Sequence, residues 1–228
     1  MIFKKLMVFL AVMGISTLHA HTYYSQAGQD QFVNETFFKD KRHGIFIDIG
    51  AHDGMLINNT YFFERNLGWR GICIEPIPEI FEQLVKNRIC TCIKGCISDF
   101  TGTAPFLRLK GLDMYSGIID KFDPQHMDRI TREMEVYNDT ATVIQVKTFL
   151  LNELLEKYNL YHVDLLSIDT EGGELDILKS IDFERFDIDV ITVENNYEAL
   201  DFREFMESKG YQFVVRLNPD DIYKKIYE

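Results

Sequence analysis

The sequence predicts an α/β protein built on a doubly wound, mostly parallel β-sheet. Short apolar runs alternate along the chain with segments of helical periodicity, which is typical of parallel strands connected by helices. The runs are apolar almost throughout, as expected for strands covered by helices on both faces. Two strand-like segments near the end, YQFVVRL and DIYKKIY, are joined across residues 218–220 and predict an antiparallel hairpin at the edge of the sheet.

Three strands and three helices are predicted in the first half of the chain. Asn58 or Asn59 is expected to cap the second helix, and Pro78 suits the first turn of the third. In order, the elements are a helix over residues 29–39, the strand Ile45–Ile49, and then NNTYFFERNLGW (helix), RGICIEP (strand), PEIFEQLVKNR (helix) and TCIKGCISD (strand).

The second half is predicted to begin irregularly. TGTAPFLRLK is expected to return as a hairpin, and residues 111–140 to form a loop with irregular helix that shapes the substrate pocket. The alternation then resumes with VIQVKTFLLNELLEKYN (strand and amphipathic helix), VDLLSIDTEGGE (strand, turn and start of a helix), DIDVITVEN (strand) and YEALDFREFMESKG (helix closed by Gly210).

Composition and charge indicate a single globular domain over residues 21–228. The chain has 228 residues, of which 46% are hydrophobic and 13% aromatic, so a sizeable core can form and a disordered chain is excluded. The formal net charge of −12 would repel nucleic acids and anionic membrane surfaces. We therefore expect a small or neutral substrate and no nucleic-acid partner.

The first twenty residues, MIFKKLMVFLAVMGISTLHA, are predicted to be a secretory signal peptide. Lys4 and Lys5 precede an apolar run over residues 6–18, and Ala20 offers a cleavage site. The run is too short for a comfortable permanent span, which needs about 20 residues. The alternative is an N-terminal helix that packs on the domain or on a membrane face. We expect an exported or membrane-associated protein, with a cytoplasmic location as the alternative.

The four cysteines show no metal-site pattern. Cys90, Cys92 and Cys96 read C-T-C-x3-C without a second ligand pair nearby, so no metal site is predicted. Together with Cys73 they are expected to be small buried hydrophobic residues, and a disulfide becomes available if the chain is exported.

Polar residues follow the predicted strands at their carboxyl ends. In GIFIDIGAHDG, Asp48 is followed by Gly50 and Gly54, and glycines there let a ligand approach the backbone. The D-x-G-x-x-x-G pattern lacks the middle glycine of a dinucleotide site, which disfavours NAD. Glu75 ends the next strand, where a carboxylate can accept both hydroxyls of a ribose. The two strand ends favour an adenosine ligand without a pyrophosphate, and S-adenosylmethionine fits.

Five segments together carry a family resemblance: SQAGQD, FIDIGAHDG, NNTYFFERNLGWRGICIEP, LLSIDTEGGELDIL and ITVEN. In this order and at this spacing they closely resemble the FkbM family of S-adenosylmethionine-dependent methyltransferases, over residues 25–223. The resemblance implies the class I methyltransferase fold, a Rossmann-like, seven-stranded sheet with a reversed last strand. It also implies methyl transfer, typically to a hydroxyl oxygen of a small molecule or sugar.

The resemblance also implies roles for individual residues. Gln26, Gln29 and Asp30 match an N-terminal motif that we expect to act as a lid near the site. The predicted cofactor-binding residues are Asp48, Gly50, Ala51, Asp53, Gly54, Glu75, Pro76, Ser98, Asp99 and Asp169.

Methyl transfer to a neutral hydroxyl needs a group that removes its proton. Glu171, just past a strand end, is predicted to be this base, with Glu194 and His52 in reserve. The alternative for Glu171 is to cap the following helix, and for His52 to be a solvated loop residue. His126 and His162 show no partner pattern and are expected to be ordinary. The candidate catalytic residues are Glu171, Asp169, Glu194 and His52.

Two other functions are consistent with parts of the sequence. A nucleotide-dependent oxidoreductase could use a similar sheet, although the missing middle glycine counts against it. An exported binding module could retain the fold without turnover. The leader favours this second alternative, because S-adenosylmethionine is made in the cytosol, whereas the acidic residue at each strand end counts against it.

Overall fold

The computed structural model describes residues 21–227, so the predicted leader, residues 1–20, lies outside the described residues. The strands of the described part are β1 (Ile45–Ile49), β2 (Arg70–Glu75), β3 (Thr91–Lys94), β4 (Cys96–Ile97), β5 (Gly102–Leu109), β6 (Gly117–Ile118), β7 (Ala141–Phe149), β8 (His162–Ile168), β9 (Asp187–Glu194), β10 (Tyr211–Leu217) and β11 (Asp220–Lys225). Its α-helices are α1 (Gln29–Val33), α2 (Tyr61–Leu67), α3 (Pro78–Asn87), α4 (Pro124–Tyr137), α5 (Leu151–Lys157), α6 (Glu174–Ser180) and α7 (Asp201–Ser208).

Seven strands form the central sheet, in the order β10-β11-β9-β8-β1-β2-β3. Strands β1, β2, β3, β8 and β9 are parallel, whereas β11 runs antiparallel to both β9 and β10. The predicted mostly parallel sheet with a C-terminal antiparallel hairpin is therefore confirmed. The chain runs outward from β1 to β3 and later returns to β8, so the strand order reverses between β1 and β8. Ligands of such sheets bind at the carboxyl ends of the strands near this point.

The central sheet is buried on both faces. Phe46 of β1 pairs with Leu165 of β8, and both pack with aromatic residues of α2 on one side. Ile47 pairs with Leu166, and both pack with residues of α5 and α6 on the other side. All four side chains are at most 1% exposed. The nearly continuous apolar character of these strands thus reflects burial on both faces.

A second sheet of four strands, in the order β4-β7-β5-β6, follows the central one. The segment TCIKGCISD, predicted as one strand, is instead divided at Gly95 between the two sheets. Gly95 has a φ of +149°, and a Cβ there would lie 2.7 Å from the carbonyl oxygen of Lys147. The strand predicted in VIQVKTF pairs antiparallel with β5 and lies outside the parallel sheet. This pairing joins distant segments, so the local apolar pattern does not reveal it.

Residues 111–140 are more ordered than predicted. The segment begins with short 3₁₀ turns, but α4 is a regular helix, so the expectation of irregular structure is wrong there. The carboxylate of Asp123 caps α4 by accepting a hydrogen bond from the N–H of Gln125 at 2.7 Å. Pro124 occupies the first turn, where its missing N–H is not needed.

The N-terminal helix is shorter than the predicted one over residues 29–39. Helix α1 ends at Val33 and continues as one wide π-helical turn, Asn34–Phe38. The carboxylate of Asp30 accepts hydrogen bonds from the N–H of Tyr24 at 2.6 Å and from the hydroxyl of Ser25 at 2.5 Å. These bonds fold the segment before α1 back onto the helix.

Within residues 21–227, no helix combines the length and apolar character needed to cross a membrane.

Candidate functional site

A cavity of about 380 Å³ lies at the carboxyl ends of β1, β2, β8 and β9, where the strand order reverses. Many of the residues predicted to bind cofactor or catalyse line it: Gly50, His52, Glu75, Pro76, Ser98, Asp169, Glu171 and Glu194. The other predicted residues lie outside the lining: Asp48, Ala51, Asp53, Gly54 and Asp99.

The backbone at Gly50 joins three strand ends. Its φ is +79°, and a Cβ at this position would lie 1.6 Å from the carbonyl oxygen of Asp169. The N–H groups of Gly50 and Ala51 donate to the carbonyl of Ile74 at 3.1 and 3.0 Å. The N–H of Asp169 donates to the carbonyl of Ile49 at 3.0 Å. No residue with a side chain fits at Gly50, which explains the glycine two positions after Asp48.

Asp48 and Arg88 hold residues 50–54, the glycine loop, in place through a buried hydrogen-bond network. Asp48 is 2% exposed, and its carboxylate accepts hydrogen bonds from the amide of Asn58 at 2.8 Å and from the hydroxyl of Thr60 at 2.6 Å. The guanidinium of Arg88 donates to the hydroxyl of Thr60 at 3.0 Å and to the carbonyl of Gly54 at 3.2 Å. Asp48 therefore positions the loop and does not face the cavity. The sequence did not identify Arg88.

Glu75 is held at the wall of the cavity. One carboxylate oxygen accepts a hydrogen bond from the N–H of Ile77 at 2.7 Å, and the other accepts one from the N–H of His52 at 3.1 Å. Burial raises the pKa of Glu75 to about 7, although both hydrogen bonds oppose the shift. A carboxylate oxygen has two lone pairs, so each can accept a further hydrogen bond from a ligand.

Three carboxyl groups converge on the cavity from the ends of β8 and β9. Asp169, Glu171 and Glu194 each place a carboxylate oxygen within 4.8 Å of the other two. Burial raises the pKa of all three, that of Glu171 to about 8, and the neighbouring carboxylates raise those of Asp169 and Glu194 further. Among residues 21–227, no Lys or Arg nitrogen lies within 4.0 Å of this cluster. The cluster can therefore accommodate an organic cation or a divalent metal ion.

Glu171 belongs to a strained turn between β8 and α6. Its backbone is left-handed, with a φ of +58°. One carboxylate oxygen lies 3.4 Å from the amide nitrogen of Asn196 and 3.4 Å from Nδ1 of His126. The carboxylate of Glu174 accepts hydrogen bonds from the N–H and the hydroxyl of Thr170, at 3.0 and 2.7 Å. Glu174, and not Glu171, is thus the carboxylate that holds the start of α6.

The other candidates lie at the edges of the cavity. Nε2 of His52 is 3.4 Å from a carboxylate oxygen of Asp113, a partner that the sequence did not indicate. The hydroxyl of Ser98 donates to Asp99 at 3.0 Å, and Asp99 forms an ion pair with Lys121 at 2.9 Å. Asp99 therefore orients groups that line the cavity without lining it itself.

Comparison with known proteins identifies the family. The profile of the Methyltransferase FkbM domain matches residues 48–213, which is most of the chain. The chain belongs to the FkbM methyltransferase family. It is 26% identical over 213 residues to Methyltransferase 1 of Beauveria bassiana, covering 83% of this chain and 84% of that protein. It is 22% identical over 216 residues to Methyltransferase sdnD of Sordaria araneosa, covering 81% of this chain and 83% of that protein.

A solved structure of the same family is also similar. Methyltransferase FkbM from Methylobacillus flagellatus KT matches 85% of this chain and 47% of its own, with 12% identity and a TM-score of 0.49. The family resemblance carried by the five sequence segments is confirmed by the profile match. These comparisons support neither an oxidoreductase nor a binding module without turnover.

His126, which the sequence analysis treated as ordinary, contacts the site of this FkbM-family chain. It is 1% exposed, with Nε2 3.1 Å from the carbonyl oxygen of Tyr115 and Nδ1 3.3 Å from the hydroxyl of Tyr197. Because a carbonyl only accepts, Nε2 carries the proton in the neutral ring. Burial lowers the pKa of His126, which favours this neutral form. Nδ1 is then an acceptor, so its contact with Glu171 is favourable when Glu171 is protonated.

Gly50→Ala is expected to destabilise the protein more than its control, Gly210→Ala. Both glycines have positive φ, +79° and +80°, which costs alanine about 1–2 kcal/mol. At Gly210 nothing lies within 4 Å of the added Cβ, whereas at Gly50 the Cβ meets backbone that cannot rotate away. We expect Gly50→Ala to lose about 1–3 kcal/mol more than the control in denaturant unfolding. Equal losses of unfolding free energy in the two variants would show that the ends of β1 and β8 can move apart to accommodate the added Cβ.

The stability of the ligand-free protein is expected to fall as the pH rises from about 6.5 to about 8.5. The pKa values of Glu75 and Glu171 are raised to about 7 and about 8, so the folded state holds protons that the unfolded state has released. The free energy of unfolding therefore decreases with rising pH while the folded state keeps these protons, and the slope flattens as they dissociate. His126, whose lowered pKa acts in the opposite direction, contributes only below about pH 6.5.

Thermal unfolding at several pH values measures this slope. Glu171→Gln removes one of the titrating groups and should make the slope shallower. A wild-type stability that is flat or rises across this window would contradict the assignment of protonated carboxyl groups.

Proposed function

We propose that this member of the FkbM family transfers a methyl group from S-adenosylmethionine to a hydroxyl oxygen of a small molecule or sugar. The observation that carries the proposal is the cluster of Asp169, Glu171 and Glu194, whose carboxylate oxygens lie within 4.8 Å of one another at the cavity wall. S-adenosylmethionine presents a sulfonium and an ammonium group, and methylation of a hydroxyl requires a proton acceptor. One acidic cluster can meet both requirements.

The rest of the cavity suits the adenosine part of the cofactor. Glu75 offers carboxylate oxygens for the ribose hydroxyls. Ile77, Ile97 and Ile118 contribute an apolar wall that can pack against the adenine. Gly50 keeps the wall between Glu75 and Asp169 free of side chains, so the backbone there can approach the ligand closely.

The protein contributes positioning and a base. When bound, the cofactor supplies a methyl group on a sulfonium, which is a good leaving group. Fixing the acceptor oxygen in line with that methyl group can recover roughly 7–11 kcal/mol of the barrier. Glu171 receives the proton from the acceptor hydroxyl, a contribution of about 10²–10⁴-fold. Burial raises the pKa of Glu171 to about 8, so its ionised form is a stronger base than an ordinary carboxylate.

The positive charge of the cofactor would link its binding to the ionisation of Glu171. A positive charge beside the cluster favours the ionised form of each carboxyl group, which lowers pKa values that burial has raised. With a bound cation, Glu171 would change from a protonated group beside Nδ1 of His126 into a carboxylate. Asp169 and Glu194, whose carboxylate oxygens lie within 4.8 Å of that of Glu171, would offset the charge of the cation.

The preference for S-adenosylmethionine over S-adenosylhomocysteine is expected to increase with pH. The homocysteine product lacks the sulfonium charge, so fewer protons must leave the carboxyl cluster when it binds. If one proton is linked to the sulfonium, the ratio of the two dissociation constants should change by about tenfold between pH 6.5 and 8.5. Calorimetry of both ligands at each pH measures the two dissociation constants. If both constants change with pH in the same way, the proposed sulfonium site is wrong.

Glu171→Gln is expected to lower turnover by about 10²–10⁴-fold while cofactor affinity changes within a few-fold, because glutamine cannot accept the proton. Asp169→Asn should lower both affinity and turnover, since its carboxylate is placed beside the cation. Transfer of labelled methyl groups to a panel of sugars and small alcohols measures turnover, and calorimetry measures affinity. If Glu171→Gln keeps most of its activity, Glu194 and His52 become the bases to test.

The same assays separate the alternatives for this cavity. Tight cofactor binding without transfer to any member of the panel would favour the binding module. Loss of transfer in EDTA, restored by Mg²⁺, would assign the carboxyl cluster to a divalent ion. We expect transfer to survive EDTA, because the cofactor itself supplies the cation for the cluster.

A further inference from the structure

We propose that the methyl acceptor is itself an anion, a hydroxylated compound bearing a carboxylate or phosphate, and that Arg129 binds its charged group beside Glu171. The inference rests on the proposed methyl transfer and specifies its substrate class. It narrows the expectation of a small or neutral substrate, which followed from the net charge of −12 alone, to a small anion.

Arg129 projects from α4 into the cavity on the side of the carboxyl cluster. It lines the cavity together with Tyr115, Glu171 and Asn196. The central carbon of its guanidinium lies 4.1 Å from the centroid of the Tyr115 ring, and the residue is half-buried. Contact with an aromatic face holds a guanidinium in place, so little side-chain freedom remains to be lost when a ligand binds.

The charge of Arg129 is available for a ligand. Within residues 21–227, no carboxylate oxygen lies within 4.0 Å of its nitrogen atoms, and its nearest aromatic neighbour is the ring of Tyr115. Lys121, the other basic side chain of the cavity lining, differs in this respect, because it pairs with Asp99 at 2.9 Å and with Asp176 at 2.6 Å. Arg129 is thus the basic group of the lining that has no ion-pair partner.

The chemistry of the side chain defines the ligand. A guanidinium presents parallel N–H donors that match two oxygens of a carboxylate or phosphate. A neutral sugar would leave Arg129 without a direct ion-pair partner, so the guanidinium charge would contribute little to binding such a sugar. An anion on the acceptor would pair with Arg129 and, in a strongly acidic protein, would select this site over the rest of the surface.

The position of Arg129 relative to Glu171 connects recognition with the reaction. The positive charge of Arg129 opposes the burial that raises the pKa of Glu171, so the two groups interact through space. An acceptor whose anionic group lies on Arg129 can present a hydroxyl to Glu171 from the same molecule. Arg129 would then determine specificity, while proton transfer stays with Glu171.

The test compares matched acceptors in pairs that differ in charge. The panel contains methyl glucuronide with methyl glucoside, glucose 6-phosphate with glucose, and small hydroxy acids with their methyl esters. Transfer of labelled methyl groups gives kcat/KM for each member. For the wild type we expect the anionic member of a productive pair to exceed the neutral one by about tenfold or more. The uronate and phosphate arms show which anion fits.

Variants at Arg129 then assign the preference to this side chain. Arg129→Gln should reduce the ratio of anionic to neutral kcat/KM by about 10- to 100-fold, and Arg129→Lys should restore part of it. The ratio is used because a change in the basicity of Glu171 affects both members of a pair equally. Arg132→Gln is the matched control, since Arg132 is exposed on the same helix and does not line the cavity. It should leave the ratio unchanged.

Several results would overturn the inference. Preference for the neutral members, or an equal loss for both members in Arg129→Gln, would mean that Arg129 serves only to balance the acidic cluster. If no panel member is methylated, the protein loaded with S-adenosylhomocysteine is titrated with the same anions. Equal affinities in wild type and Arg129→Gln would again reject the proposal. Failure to bind S-adenosylmethionine would instead reject the proposed function, so the two failures are distinct.

Discussion

The close contact between Gly50 and the carbonyl oxygen of Asp169 determines where the rest of the site can lie. It brings the ends of β1 and β8 together at the point where the strand order reverses, and backbone bonds from Gly50 and Ala51 to Ile74 add the end of β2. The glycine loop, Glu75 and the carboxyl cluster therefore face a single cavity. The buried network of Asp48 and Arg88 keeps the loop in this position, because its hydrogen bonds reach Gly54 at the far end of the loop.

The protein has a net charge of −12, and Glu75 and the carboxyl cluster share one cavity. The negative charge of these carboxyl groups must therefore be neutralised. Raised pKa values achieve this without a ligand, since Glu75 and Glu171 hold protons near neutral pH. A bound cation achieves it differently, by allowing the groups to ionise. Under the proposed function, the charge of the ligand, and not the ligand-free fold, would produce the basic form of Glu171. The neutral tautomer of His126 is compatible with both states, because Nδ1 can accept from Glu171 or from Tyr197.

The central sheet could be predicted from the sequence because its strands are buried on both faces, so each one appears in the sequence as a short apolar run. The sequence predicted most of the cavity lining for a related reason, since the carboxyl ends of parallel strands meet at one edge. The second sheet escaped prediction because β7 pairs with β5 far along the chain. His126 was missed because its partners lie 11 and 71 residues away, and Arg88 because its hydrogen-bond partners lie 24 to 34 residues away. Such contacts leave no local pattern.

The two sides of the cavity come from different parts of the fold. The ends of the central strands provide Glu75 and the carboxyl cluster, and Ile97 and Ile118 of the second sheet add to the proposed adenine wall. Tyr115 and Arg129 come from the segment between β5 and β7. That segment is attached to the second sheet, whose buried cluster includes Phe106, Ile118 and Val146 and is separate from the two clusters that cover the central sheet. Changes on α4 can therefore alter the proposed acceptor side without repacking the strands that position the carboxyl cluster.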